Sequence, residues 1–213
     1  MLQPFHMWWF PKRFIVLAEP HGAARSAHVV AIGIVITILG AVVVSLGGPL
    51  MIHLMTPPAY HAAALFVPFI ALVYATQEVG SLLELGAYLR KDGFLPLLTN
   101  LFGAAVVVAL YLLLIPRYGV AGAIAATLFA QIARTIVIQL ISQYYVYLPY
   151  PVWRLTLVAA LAAGGTAASF ALLPTALVVL GGFLVVPATA AAAWRLGLLR
   201  PFTPPDATTG EAG

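Results

Sequence analysis

Apolar residues run along this chain in blocks of about 20, each close to the length a helix needs to cross ~30 Å of hydrocarbon. Short polar or proline-containing links separate the blocks. The pattern predicts six transmembrane α-helices, over about residues 28 to 48, 62 to 87, 94 to 115, 120 to 144, 153 to 173 and 175 to 196, taken in order as spans one to six. A transmembrane β-barrel would instead show short segments of alternating character, and none occur. The links carry turn chemistry: Thr56-Pro57-Pro58, Lys91-Asp92-Gly93, Pro116-Arg117-Tyr118-Gly119, Leu148-Pro149-Tyr150-Pro151 and Leu173-Pro174. Links this short make neighbouring spans antiparallel. The predicted fold is all-α, a polytopic transmembrane helical bundle.

Composition agrees. Of 213 residues, 63% are hydrophobic and 8% charged, where a soluble domain carries roughly a quarter charged residues. The ten Lys and Arg residues are scattered between apolar blocks, so the net charge of +4 makes no patch for nucleic acid. With no cysteine, neither a disulfide framework nor a thiolate metal site can form, and no cofactor is expected. The absence of a phosphate-binding glycine loop excludes ATP as the energy source of this chain.

The basic residues instead report topology. Lys12, Arg13, Arg25, Arg90, Lys91, Arg154, Arg195 and Arg200 fall on one side of the predicted spans, whereas the other side holds only Arg117. Cytoplasmic loops are enriched in Lys and Arg. Both termini are therefore predicted to be cytoplasmic, with Thr56, Arg117 and Pro174 at the outer face.

Lys12 and Arg13 follow the aromatic run Trp8, Trp9, Phe10 instead of preceding an apolar core, which argues against a cleaved signal. Residues 1–27 are too interrupted for a full span. They read as a cytoplasmic or interfacial segment holding the end of a preceding helix. Residues 201–213, rich in proline and threonine, are predicted to be a disordered cytoplasmic tail.

Two charged residues lie near the centres of their spans, Glu78 and Arg134. Such a residue costs roughly 2.5 to 3.5 kcal/mol to insert, so it is expected to face protein or a watery cavity. Each sits about three residues past the centre of its span, which places the two at similar depth. At ~100° per residue, Tyr74, Gln77, Glu78, Ser81, Glu84 and Tyr88 share one face of span two. Thr127, Gln131, Arg134, Thr135, Gln139 and Ser142 share a broader face of span four. Lipid cannot solvate either stripe. A shared aqueous cavity, wider toward the cytoplasm, is the economical expectation.

Two readings of the charges remain open on residues alone. Glu78 and Arg134 can form a buried pair that fixes helix register. Alternatively, Arg134 attracts an anionic head group and Glu78 balances it or carries a coupling proton. Glu84 is expected near the interface. Ala160, Gly164 and Ala168 make a small-residue line expected to support close helix packing, and Pro68 and Pro187 fall within spans two and six, where a proline either kinks the helix or is tolerated. His53 and His61 lack metal-ligand spacing and read as interfacial.

Three segments carry a family resemblance. Leu113-Leu114-Ile115-Pro116-Arg117-Tyr118-Gly119-Val120-Ala121-Gly122-Ala123 looks like an "LIPxxGxxGAA" helix entry. Ser142-Gln143-Tyr144-Tyr145 with Leu148-Pro149-Tyr150 is similar to an "SQ...YPIPY" link, and Leu54-Met55-Thr56-Pro57-Pro58-Ala59-Tyr60 with Ala62-Ala63 to an "LLTPPEYxxAA" outer turn. In order and spacing, roughly residues 5 to 170 resemble the polysaccharide and O-antigen flippases of the multidrug/oligosaccharidyl-lipid/polysaccharide exporter superfamily. Its members have 12 to 14 helices arranged as two facing bundles.

The resemblance implies that residues 28–152 are four helices of the carboxy-terminal bundle and that 153–200 are two additional helices. The implied function is translocation of a lipid-linked oligosaccharide, with an anionic pyrophosphate head group, across the bacterial cytoplasmic membrane by alternating access. Membrane lipids are expected partners, as is a missing amino-terminal half or second chain. The alternatives are a non-transporting remnant or partner subunit, or an enzyme acting on lipid-linked sugars. The enzyme reading is the weaker, because Asp92 is the only acid in a loop between spans.

Overall fold

A computed structural model describes residues 3–88, 94–174 and 177–202, and it contains helices and turns with no strand among them. The Lys91-Asp92-Gly93 link, Arg90 and the tail from residue 203 lie outside the described residues. Four segments are long and apolar enough to cross a membrane: Gly22–Met55, Pro58–Tyr88, Phe94–Tyr145 and Val152–Leu172. Val179–Arg195 is apolar but shorter.

Helix α1 spans Gln3–Ala18 and α2 spans Gly22–Met55. The 34 residues of α2 make a rod of about 51 Å. Apolar residues cover it on every side, the mark of a helix enclosed by others. Half of its apolar stretch is buried, against 11% for α4, so α2 is the central pillar. It starts after His21 in a left-handed turn (φ 59°), and it ends where the Thr56 hydroxyl donates to the Ile52 carbonyl at 2.7 Å.

α1 is a regular helix packed on α2. It folds back along α2, with Gly22 against the Val16 and Leu17 carbonyls and Gly33 against the Phe5 ring, so the two helices are antiparallel. Trp9 is fully buried among Val30, Ile34 and Leu82, whereas Trp8 stays half exposed.

After α2 the chain forms a 3₁₀ stretch, Pro58–Phe66, before α3 at Val67–Leu83. Pro68 occupies the first turn of α3, where a missing N–H is harmless, so it marks a helix start and does not kink the span. A second 3₁₀ stretch, Glu84–Tyr88, follows.

α4 covers Phe94–Tyr145 and is broken at Gly119, whose φ of 56° and ψ of −130° suit only glycine. Pro116 stays helical, and the two arms fold against each other. Tyr111 meets Thr127, Asn100 meets Arg134, and Gly122 abuts the Leu114 carbonyl. The residue numbers of each pair add to nearly the same value, the signature of an antiparallel hairpin. The predicted spans three and four are these arms.

α5 spans Val152–Leu172 and α6 Val179–Arg195, and both pack on α2. Their shared seam uses Gly165 against Val185 and Ser169 against Gly181. Val158, Ala162 and Ser169 are buried, while Ala160, Gly164 and Ala168 point outward. The small-residue line expected to pack therefore does not, and the contact face lies on neighbouring positions. Pro187 lies inside α6.

Arg25, Arg154 and Arg200 gather at one end. Leu17, Ala23, Ala27, Leu85, Val146, Leu148 and Tyr150 form one apolar cluster there, Arg25 pairs with Glu19, and Arg154 donates to the Leu196 carbonyl at 3.1 Å. His28 reaches the Arg200 carbonyl at 2.8 Å.

Gly86, in the 3₁₀ stretch after α3, makes the tightest junction with the second arm of α4. Its N–H donates to Ser142 Oγ at 2.9 Å, and a β-carbon on it would overlap the Ser142 carbonyl. Gly86→Ala is expected to destabilise the bundle by about 1–3 kcal/mol, as overpacking does. Gly164→Ala, facing open space inside α5, is expected to be neutral or to stabilise by up to about 1 kcal/mol. Thermal unfolding of the two purified variants in detergent checks the contrast.

Candidate functional site

The polar stripe of α3 and that of the second α4 arm face each other. Gly80 makes this possible: a β-carbon there would stand 2.8 Å from Thr135 Oγ1 and 3.4 Å from Arg134 Nη1. Between α3 and both α4 arms lies a partly open cavity of about 380 Å³. Gln77 and Ser81 line it from α3, and Gln131 and Arg134 from the second arm. The first arm adds Asn100 and Tyr111.

Several of these groups are fixed by local geometry. The Ser81 hydroxyl donates to the Glu78 carbonyl at 2.8 Å, and the Thr127 hydroxyl to the Ala123 carbonyl at 2.9 Å. Tyr111 Oη and Thr127 Oγ1 are 2.8 Å apart across the hairpin. Gly103 leaves room for the Arg134 stem, since a β-carbon at 103 would come within 3.2 Å of Arg134 Cδ.

Arg134 is held from two sides. Its Nε donates to Asn100 Oδ1 at 2.8 Å, and its Nη2 lies 3.5 Å from Glu84 Oε2. Glu84 is buried. Tyr88 donates a hydrogen bond to it, and Arg13 of α1 acts on it electrostatically. The Arg13 guanidinium lies 4.7 to 4.8 Å from the centres of the Phe10, Phe14 and Tyr88 rings. Burial pulls the Arg13 pKa below its usual value, with the Glu84 and Tyr88 charges opposing.

Glu78 takes a different partner. Its Oε2 lies 3.0 Å from His6 Nε2 on α1, and both side chains are mostly enclosed. The two intramembrane charges thus have separate contacts: Arg134 with Glu84 and Asn100, Glu78 with His6. The buried Glu78–Arg134 pair considered from the sequence is not the arrangement found.

No known protein family, curated protein or solved structure matches the chain.

The remaining candidates divide by position. Tyr74 borders a second, smaller cavity of about 210 Å³ with Ile70, Val73, Ala123, Ile124 and Thr127. Thr135 and Gln139 are outside the larger cavity. Thr135 Oγ1, Gln139 Oε1 and Gln131 Oε1 are buried atoms with no hydrogen-bond partner in the protein, a condition that ordered water ordinarily relieves. His53 and His61 stack with ring centres 4.4 Å apart, and no group of three or more metal-ligating side chains occurs among the described residues.

Asn100, Tyr111, His6 and Arg13 belong to this region but were not among the cavity candidates drawn from the sequence, where Arg13 bore only on topology and the absence of a cleaved signal. Asn100 carried a readable signal, being the only asparagine in the chain and set in an apolar helix. His6 and Arg13 carried none, because their helix precedes the first predicted span.

Glu84 balances guanidinium groups from two helices. Glu84→Ala leaves Arg134 and Arg13 without their shared carboxylate and is expected to destabilise the protein by about 3 kcal/mol. Glu84→Gln, which keeps the shape, is expected to lose less. Chemical unfolding in detergent micelles measures both.

Proposed function

We propose that this chain is part of a transporter that moves a lipid-linked oligosaccharide across the bacterial cytoplasmic membrane by alternating access. The observation that carries the reading is the cavity: a space of about 380 Å³ inside an apolar bundle, lined by Arg134, Asn100, Gln77 and Gln131. A guanidinium fixed by Asn100 and Glu84 keeps donors directed at a pyrophosphate, which arginine binds bidentately. The surrounding amides suit hydroxyl-rich sugar.

The likeness of residues 113–123, 142–150 and 54–63 to polysaccharide flippases points to the same substrate class. In this reading the bundle crosses the membrane six times, through α2, Pro58–Tyr88, the two α4 arms, α5 and α6, with both termini cytoplasmic. The cavity is partly open, and a second bundle, from another chain or another part of a longer one, covers it.

Arg134→Ala, made where this chain supports glycan export, is expected to reduce export about 100-fold, and Arg117→Ala to leave it unchanged. Surface glycan is quantified alongside the amount of chain in the membrane. Export at the wild-type rate with normal protein levels refutes the cavity role.

A further inference from the structure

The contact between α1 and α3 has so far had no role. His6 Nε2 and Glu78 Oε2 stand 3.0 Å apart, and the imidazole packs on the Phe10 ring with centres 4.6 Å apart. Glu78 is one half-turn before Gly80, the residue that rests against Arg134 Nη1 and Thr135 Oγ1. The pair is not itself part of the cavity lining but adjoins it through Gln77, the neighbour of Glu78 in the chain.

Arg13 and Arg134 supply two cations, and Glu78 and Glu84 two carboxylates. Tyr88 from the 3₁₀ stretch and Tyr150 from the link before α5 also face this region as neutral phenols. α2 contributes His28, engaged by the Arg200 carbonyl, and Arg25, paired with Glu19. Lys12 lies over the exposed Trp8 ring. A proton taken up by the His6–Glu78 pair adds one positive charge beside Arg134 and Arg13.

We propose that His6 and Glu78 form a proton-binding site coupled to anion binding in the Arg134 cavity, an inference that rests on reading that cavity as an anion site. Histidine is the side chain that exchanges a proton near neutral pH. Buried charges are screened much less than exposed ones, so a dianion in the cavity favours the protonated pair and the protonated pair favours the dianion. By linkage the two effects are equal in size. The proton enters between imidazole and carboxylate, no covalent bond changes, and charge is conserved as one proton is taken up with the anion.

The test uses the purified full chain and dimethyl pyrophosphate, whose two charges do not titrate near neutral pH. Isothermal calorimetry at about pH 6 and pH 8, in buffers of different ionisation enthalpy, reads affinity and protons together. Wild type is expected to bind on the order of tenfold more weakly at the higher pH and to take up protons on binding. His6→Gln and Glu78→Gln are expected to bind with no such pH dependence. Wild-type binding with equal affinity at both pH values and no proton uptake overturns the coupling while leaving the cavity an anion site. No binding at either pH, by wild type and Arg134→Ala alike, overturns the anion site and the coupling with it. Because proton uptake is measured on the wild type, the result stands even where a variant fails to fold.

Discussion

Glu84 is the point on which the bundle balances. Inside hydrocarbon no water is at hand to satisfy a carboxylate or a guanidinium, so each must find its complement in the protein. Glu84 takes Arg134 from α4, accepts a hydrogen bond from Tyr88, and feels Arg13 from α1. Three separate parts of the chain are thereby drawn to one place. The cavity lies beside this junction because Arg134, turned toward Glu84 and Asn100, opens a polar seam between helices that otherwise meet through apolar surface.

Where side chains are small, backbones approach and fix the register around that seam. Gly33 admits Phe5 of α1 and Leu82 of α3 to the same spot on α2, while Gly80 and Gly86 set the second α4 arm against α3. Gly165 and Gly181 do the same for α5 and α6. Dispersion and close packing hold helices together in lipid, where the hydrophobic effect between them is weak. The glycines therefore decide which side chains can meet.

The helical class and the apolar segments were legible because the need for about 20 apolar residues per crossing writes itself directly into the chain. The facing of the Gln77 and Gln131 stripes was legible for a similar reason, since helical period alone brings those residues to one side. Partner choice was not. Depth put Glu78 beside Arg134, yet periodicity says nothing of α1, a helix too short and too charged to register as a span, which brings His6 to Glu78 and Arg13 toward Glu84. The Ala160 line failed for a related reason. Small residues permit close packing but do not compel it, and the face with Val158, Ala162 and Ser169 was the one α2 and α6 covered.

The hairpin of α4 also bears on how the chain is made. Glu84 and Asn100 both precede Arg134 in the sequence. When synthesis reaches Arg134, its carboxylate and amide partners are already part of the chain, and the turn at Gly119 sets the second arm alongside the first. The most expensive residue in the bundle is thus delivered last and into company. A charge that would resist entering the membrane alone is inserted as part of a pair of helices, and the order of residues along the chain serves as the order of assembly.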